Sequence, residues 1–142
     1  MRKRTYLDAC VLIAAFRGKE QESRRAFEVI DDPDRSFVVS DYLKLEVLPK
    51  PTFHGRTEEL DFMRRIIEAA EEEISSSPQI TQSALKLAGK YNLSPMDALH
   101  VSSALVAGVA ELVTMEKPTK PICRVKEVKV VSFYPEAEGE VL

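Results

Sequence analysis

No apolar run in this chain of 142 residues approaches the roughly 20 that a membrane-spanning helix needs, so a helical span is excluded. A secretory leader is not expected either. Met1-Arg2-Lys3-Arg4 makes a basic start, but only a short hydrophobic segment lies between Asp8 and Arg17, with no small-residue cleavage site. Cysteine is scarce: Cys10 and Cys123 stand apart, with no CxxC spacing and no third or fourth partner for zinc. They read as reduced thiols of a cytoplasmic protein. Excess positive charge is also missing, since the net charge of −3 does not by itself announce nucleic-acid binding. Nor is there an internal repeat, a low-complexity segment or an interdomain linker, so residues 1–142 read as one domain.

What is present is an ordinary globular composition, 44% hydrophobic and 30% charged, long enough to bury a core without disulfides or structural metal. Strand-like and helix-like segments alternate. Arg4–Leu7 reads as a short buried strand followed by an apolar helix to about Phe16, and Gln21–Ile30 as an amphipathic helix. The run 36–40 is a β-branched and aromatic strand. Asp41–Leu48 follows as a helix stopped by Pro49 and Pro51, with Pro51–Arg56 as a polar connector. Leu60, Met63, Ile66, Ile67 and Ala70 recur at helical spacing. Ser77-Pro78 starts another helix that ends near Asn92, and Ser94-Pro95 starts one running to about Val109. Leu112–Thr114 and Val128–Phe133 complete the strands. Strands separated by helices predict an α/β fold with a parallel sheet.

Four carboxylates stand out against that pattern. Asp8 closes the first strand, Glu116 follows the strand ending at Thr114, Asp97 opens a helix and Glu46 interrupts an apolar stretch. Helical phase puts Glu46 among Tyr42, Leu43, Leu45, Val47 and Leu48, with Lys44 nearly opposite, and a carboxylate on a core-facing arc is costly unless paired or metal-bound. Each of the others has a plain structural role open to it. Asp8 can cap its helix, Ser94-x-x-Asp97 resembles a capping box, and Glu116 alone would be a surface charge. Asp41 reads as the cap of its own helix. His100 shares the face of Asp97 and could support it, although such a histidine is more often part of the core.

Residues just past the strand ends of a parallel sheet gather at one edge, where ligands bind. Acids collected there suit a hard divalent cation, and a carboxylate-held cation suits phosphodiester hydrolysis. Local charge agrees: Lys117, Lys120, Arg124, Lys126 and Lys129 face one acid, Glu127, in that stretch, whereas the end of the chain is acidic with Glu136, Glu138 and Glu140. A basic strip beside an acidic cluster fits a phosphate backbone; a solvated edge strand kept soluble by lysines fits the same residues.

In this order and context, Tyr6-Leu7-Asp8-Ala9-Cys10-Val11-Leu12-Ile13, Ser40 through Glu46-Val47, Leu93-Ser94-Pro95-Met96-Asp97-Ala98-Leu99-His100 and Leu112-Val113-Thr114-Met115-Glu116 resemble the PIN-domain family. Many members of that family are metal-dependent ribonucleases, including VapC-type toxins of toxin–antitoxin pairs. The resemblance covers nearly the whole chain. It implies a three-layer sandwich with a central parallel sheet flanked by helices, and an acidic site binding Mg2+ or Mn2+. Asp8, Glu46 and Asp97 match the family's first three acids, Glu116 falls where a fourth acid, usually Asp, is expected, and Thr114 matches an accompanying Thr or Ser. RNA as substrate and an antitoxin protein as partner come from the resemblance too.

Two departures matter. Where the family carries Thr or Ser and then Asn or Ser after its first acid, this chain has Ala9 and Cys10, so a polar group orienting Asp8 is expected to be missing. Glu116 also adds a methylene to the fourth acid. The reading is therefore an endoribonuclease with Asp8, Glu46, Asp97 and Glu116 at the metal and Thr114, Lys117, Lys120 and Arg124 toward the substrate. The rival from another class is a catalytically weak or inactive PIN-like module that binds RNA or protein, its acids serving as caps and ion pairs. The apolar stripe Leu60–Ala70 adds the expectation of a homodimer.

Overall fold

The computed structural model describes residues 1–136; Glu138 and Glu140 of the acidic end lie outside the described residues. Five parallel strands form one sheet in the order β3-β2-β1-β4-β5: β1 (Lys3–Leu7), β2 (Arg35–Ser40), β3 (Glu72–Ile74), β4 (Glu111–Thr114) and β5 (Val130–Ser132). Seven α-helices join them. α1 (Ala9–Arg17) and α2 (Glu20–Ile30) connect β1 to β2. α3 (Asp41–Val47), α4 (Pro49–Phe53) and α5 (Thr57–Glu68) connect β2 to β3, and α6 (Pro78–Tyr91) and α7 (Pro95–Ala107) connect β3 to β4. A 3-10 turn at Pro121–Arg124 precedes β5.

Period-two alternation splits the buried side chains between the two faces of the sheet. Tyr6, Val38 and Leu112 pack on one face with Ile80, Leu87 and Val101 of α6 and α7. Their chain neighbours Leu7, Val39 and Val113 pack on the other, with Val11, Leu12, Val29, Met63 and Ile67 of α1, α2 and α5. The register keeps each set in line, with Tyr6 beside both Val38 and Leu112. Helices cover both faces, so the predicted three-layer α/β architecture is what the chain forms.

The helix signals mostly act as read. Ser77 and Ser94 accept hydrogen bonds from the backbone N–H groups of Ile80 and Asp97, and Asn92 and Gly108 end α6 and α7 in the left-handed conformation. Two local expectations are corrected and one strand was not foreseen. The first residues of the expected connector Pro51–Arg56 belong to the helix α4, Pro49–Phe53, because Pro at the first position starts a helix as readily as it stops one. Glu72–Ile74 pairs with Val38–Ser40 as β3, although its acidic residues carry no strand signal. Leu45, placed in the apolar arc of α3, is 66% exposed.

The stripe on α5 is spent within the chain. Met63 and Ile67 are buried, and Phe62, Ile66 and Ala70 pack against the same cluster, so the stripe leaves little for a partner copy.

Candidate metal centre at the C-terminal edge of the sheet

The chain crosses from one half of the sheet to the other at β1 and β4, which lie side by side although they are far apart in sequence. Connections leaving two such strands diverge and open a crevice beyond their C-terminal ends. Asp8 directly follows β1 and Glu116 lies two residues past β4. α3, which carries Glu46, starts directly after β2, while Asp97 lies in the first turn of α7.

Asp8, Glu46 and His100 each offer a ligand atom, and these atoms lie within 4.8 Å of one another. Asp97 and Glu116 stand outside that tight group but within its field. The Asp97 carboxyl is pushed up from 3.8 to about 6, chiefly by burial and then by the charges of Asp8 and Glu116. The same three acids, after burial, push the Cys123 thiol up.

The opposite edge of the sheet makes the contrast plain. Glu111 is also buried, yet its carboxylate is met by Arg35 at 3.0 Å, Lys129 at 3.1 Å and Lys3 at 3.5 Å. Burial opposes its ionisation, but those cations outweigh it and hold its carboxyl below the usual range. Asp8, Glu46, Asp97 and Glu116 have no Lys or Arg ion-pair partner among the described residues. Like charges gathered without a cation favour either protonation or a bound metal ion. Oxygen-only donors from carboxylates fit Mg2+ or Mn2+.

Asp8 and Glu46 each have an identifiable support. Asp8 occupies the cap position of α1, yet its side chain makes no capping hydrogen bond. Its Oδ2 instead accepts from Thr114 Oγ1 at 2.8 Å and from Cys10 Sγ at 3.3 Å. The expectation that Asp8 lacks an orienting polar group is thus corrected: a thiol on α1 and a hydroxyl on β4 supply it. Cys10 Sγ in turn accepts the Met115 N–H. Burial first, then the Asp8 charge, lift the Cys10 thiol well above its ordinary range, so it stays protonated and able to donate. Thr114 Oγ1 also accepts the Glu116 backbone N–H at 3.1 Å.

Glu46 is held by His100, the residue the sequence pointed to least firmly. His100 is fully buried; its Nε2 contacts Glu46 Oε1 and lies 3.9 Å from Asp8 Oδ1. Its Nδ1 lies 2.7 Å from the Tyr6 hydroxyl, which lies 2.6 Å from Ser40 Oγ, and Ser40 Oγ accepts the Leu43 N–H at the start of α3. Against an ionised carboxylate Nε2 donates, and in that tautomer it has no lone pair left for a metal and His100 positions Glu46; in the other tautomer Nε2 is a ligand atom beside Asp8 and Glu46. Burial opposes the imidazolium, but the Glu46 hydrogen bond and the charges of Asp8, Glu46 and Asp97 prevail, and the net shift is upward. Burial raises the Tyr6 phenol as well. The sequence signal for His100 was its place one helical turn after Asp97; its links to Tyr6 and Ser40 cross three elements and leave no local mark.

Lys117, Lys120 and Arg124 are exposed on the β4–β5 connection, and Lys117 lies over the Tyr134 ring at 5.6 Å. Lys129 of the basic strip is committed to Glu111, and Glu127 pairs with Lys90. Among the described residues, the strip thus divides into a loop without ion pairs and a paired edge strand. Among the described residues, no helix is long and apolar enough to cross a membrane.

A two-sided parallel α/β sandwich with a crevice of acids met by one histidine at its crossover point defines the class of protein. The chain belongs to the PIN-domain family, whose model matches residues 5–118. Its fold is similar to a chain of a toxin–antitoxin complex from Klebsiella pneumoniae, with TM-score 0.67 and 22% identity over 92% of this chain and 98% of that one. A chain of VapBC2 from Rickettsia felis, bound to a DNA fragment from its promoter, gives TM-score 0.67 at 13% identity, covering 91% of this chain and 98% of that one. DNA-bound VapBC from Salmonella typhimurium gives 0.64 at 15%, covering 94% and 99%. No curated protein sequence matches the chain.

Proposed function

We propose that this chain is a Mg2+- or Mn2+-dependent endoribonuclease, with Asp8, Glu46, Asp97 and Glu116 around the metal. The observation that carries the reading is the crevice of acids with no Lys or Arg partner among the described residues, set against the fully paired Glu111 at the other edge. When bound, the metal supplies a more acidic water and stabilises charge on the phosphoryl oxygens.

The chain's own groups prepare that site. Thr114 and Cys10 turn Asp8, and His100 turns Glu46. Asp97, whose carboxyl is pushed up to about 6 by burial and by Asp8 and Glu116, is an acid whose ionisation a bound cation would favour. Lys117, Lys120 and Arg124 are the proposed contacts to the RNA backbone, holding it without reading sequence. Hydrolysis by a water made more acidic in this way would leave a 5′-phosphate and a 3′-hydroxyl.

We extend the reading to a toxin held by an antitoxin protein. Its support is the fold shared with chains from toxin–antitoxin complexes, and a neighbouring gene for a small DNA-binding protein would strengthen it. Self-association belongs to the same reading, through a face other than α5, and sedimentation at high micromolar concentration tests it.

Cleavage of labelled RNA in Mn2+ by the wild type and by Asp97→Asn tests the proposal. Cleavage by the wild type with 3′-hydroxyl ends, lost in the variant, supports it. No cleavage and no thermal stabilisation by Mn2+ would leave a non-catalytic PIN-like module.

A further inference from the structure

One exposed aromatic is not explained by the packing. Phe53, the last residue of α4, is 84% exposed, and its ring meets His54 edge-on with centroids 5.0 Å apart. It does not sit on a loose loop. The buried Pro51 anchors α4, Thr52 Oγ1 donates to Leu48 O at 2.7 Å, and the His54 and Arg56 N–H groups return to Lys50 O and Pro51 O.

The ground beside it is basic and leads to the acids. A cleft there is lined by Arg17, Lys50, His54, Arg56 and Glu59, and its wall includes Glu46 of the proposed metal site. Glu59 is taken by Arg17, which donates to both of its oxygens from Nε and to one from Nη2 at 2.7 Å. Arg56 reaches the same carboxylate only at 4.0 Å, and Lys50 has no ion pair among the described residues. Three cations against two acids, Glu59 held by Arg17 and Glu46 at the far wall, leave the Lys50–Arg56 end of the cleft positive. A rigid aromatic beside uncommitted cations, on a path to a phosphodiester-cleaving centre, matches the way single strands are held: phosphates on the cations, a base on the ring.

We infer that the cleft from His54, whose ring meets that of Phe53, to Glu46 is a track for single-stranded RNA, with a base stacked on Phe53 beside it and the flanking phosphates on Lys50 and Arg56. The inference rests on the nuclease reading, and it assigns the strand to α4 in addition to the Lys117–Arg124 connection. An apolar peptide laid in the same cleft would dehydrate Lys50, Arg56 and Glu46 without pairing them.

The chain contains no Trp, so Phe53→Trp places a sole indole reporter at an exposed position where the fold should tolerate it. This variant is titrated with a short oligouridylate in Ca2+, whose looser coordination makes it a poor substitute for Mg2+ in hydrolysis. Oligonucleotide anisotropy is followed in parallel. Saturable quenching is expected, and Lys50→Ala with Arg56→Ala should weaken binding about tenfold and flatten its salt dependence by about 1.4 in log–log slope. Phe53→Ala in the unlabelled protein should weaken binding by about tenfold or more.

Anisotropy that reports binding while the indole stays unquenched overturns the inference. So does an emission shift that grows with protein concentration alone, which would make this face a contact between copies. A wild type that cleaves RNA although Phe53 and Lys50 variants bind normally sinks the track and leaves the nuclease reading standing. Quenching by RNA in a protein that never cleaves it does the reverse.

Discussion

Asp97→Asn in the metal-free protein separates a strained metal ligand from a helix cap. The carboxyl is pushed from 3.8 to about 6 by burial and by Asp8 and Glu116. That span corresponds to about 3 kcal/mol of disfavoured ionisation at neutral pH. Asp97 is only half-buried, so solvent screening reduces this to about 1–2 kcal/mol. Removing a negative charge from the first turn of α7 costs roughly 0.3–1 kcal/mol in the opposite direction. The backbone N–H of residue 97 still donates to Ser94 Oγ, so the cap survives. The net is a gain of about 1 kcal/mol at pH 7.5, a rise in Tm of roughly 2–4 °C.

The sign with pH is specific. A carboxyl whose folded value is raised favours the fold below its unfolded value and loses that contribution as pH climbs through the folded one. The wild type should therefore lose stability relative to Asp97→Asn between about pH 4 and pH 6, and the two should converge below that window. Saturating Mn2+ should reverse the order, since a hundredfold excess over Kd adds about 2.7 kcal/mol to a protein that binds it and nothing to one that does not. Thermal melts across pH, with and without Mn2+, read all three. If the variant is less stable by the roughly 0.5–2 kcal/mol of a lost cap at every pH, and Mn2+ leaves the wild type unchanged, Asp97 is structural.

Three further outcomes follow from the supports of the other acids. Glu116→Gln should lower cleavage while calorimetry still finds Mn2+ binding, because Glu116 lies outside the tight Asp8–Glu46–His100 group; unchanged cleavage would make it a surface charge. Cys10→Ala removes a donor to Asp8 and should weaken Mn2+ about tenfold, with Cys10→Ser restoring most of it; equal affinities would show that Thr114 alone orients Asp8. His100→Gln keeps an N–H near the position of Nε2 and should retain more Mn2+ affinity than His100→Asn, which reaches only toward Tyr6. Nitrogen NMR of His100 should show Nε2 still protonated with Mg2+ bound, whereas a metal-bound Nε2 would refute its positioning role.

Much of this molecule was legible along the chain. The short buried run ending Thr5-Tyr6-Leu7, the β-branched run at 36–40, and the Ser-Pro starts of α6 and α7 specify their elements through neighbours a few residues away. That is the range over which backbone dihedrals and helical phase act. The same local grammar marked Glu46 as an acid in an apolar stretch and Asp97 as an acid at a helix start. It failed at β3, where Glu72 and Glu73 form a strand only because β2 offers its edge.

Which acids meet, and what holds them, was decided by the tertiary structure. Asp8 and Thr114 are brought within hydrogen-bonding distance because β1 pairs with β4, and Leu7 lies opposite Val113. Cys10 reads in sequence as the loss of a polar partner, and only its approach to Asp8, Thr114 and Met115 makes it one. His100 acquires its role because α7 packs its first turns against β1 and α3, where Tyr6, Ser40 and Glu46 converge. Sequence alone settled which residue types were available and which element each would ride on, because those depend on short-range sterics and periodicity. Long-range strand pairing settled the partners, because charge and hydrogen bonding act through space and carry no trace in the spacing of the chain.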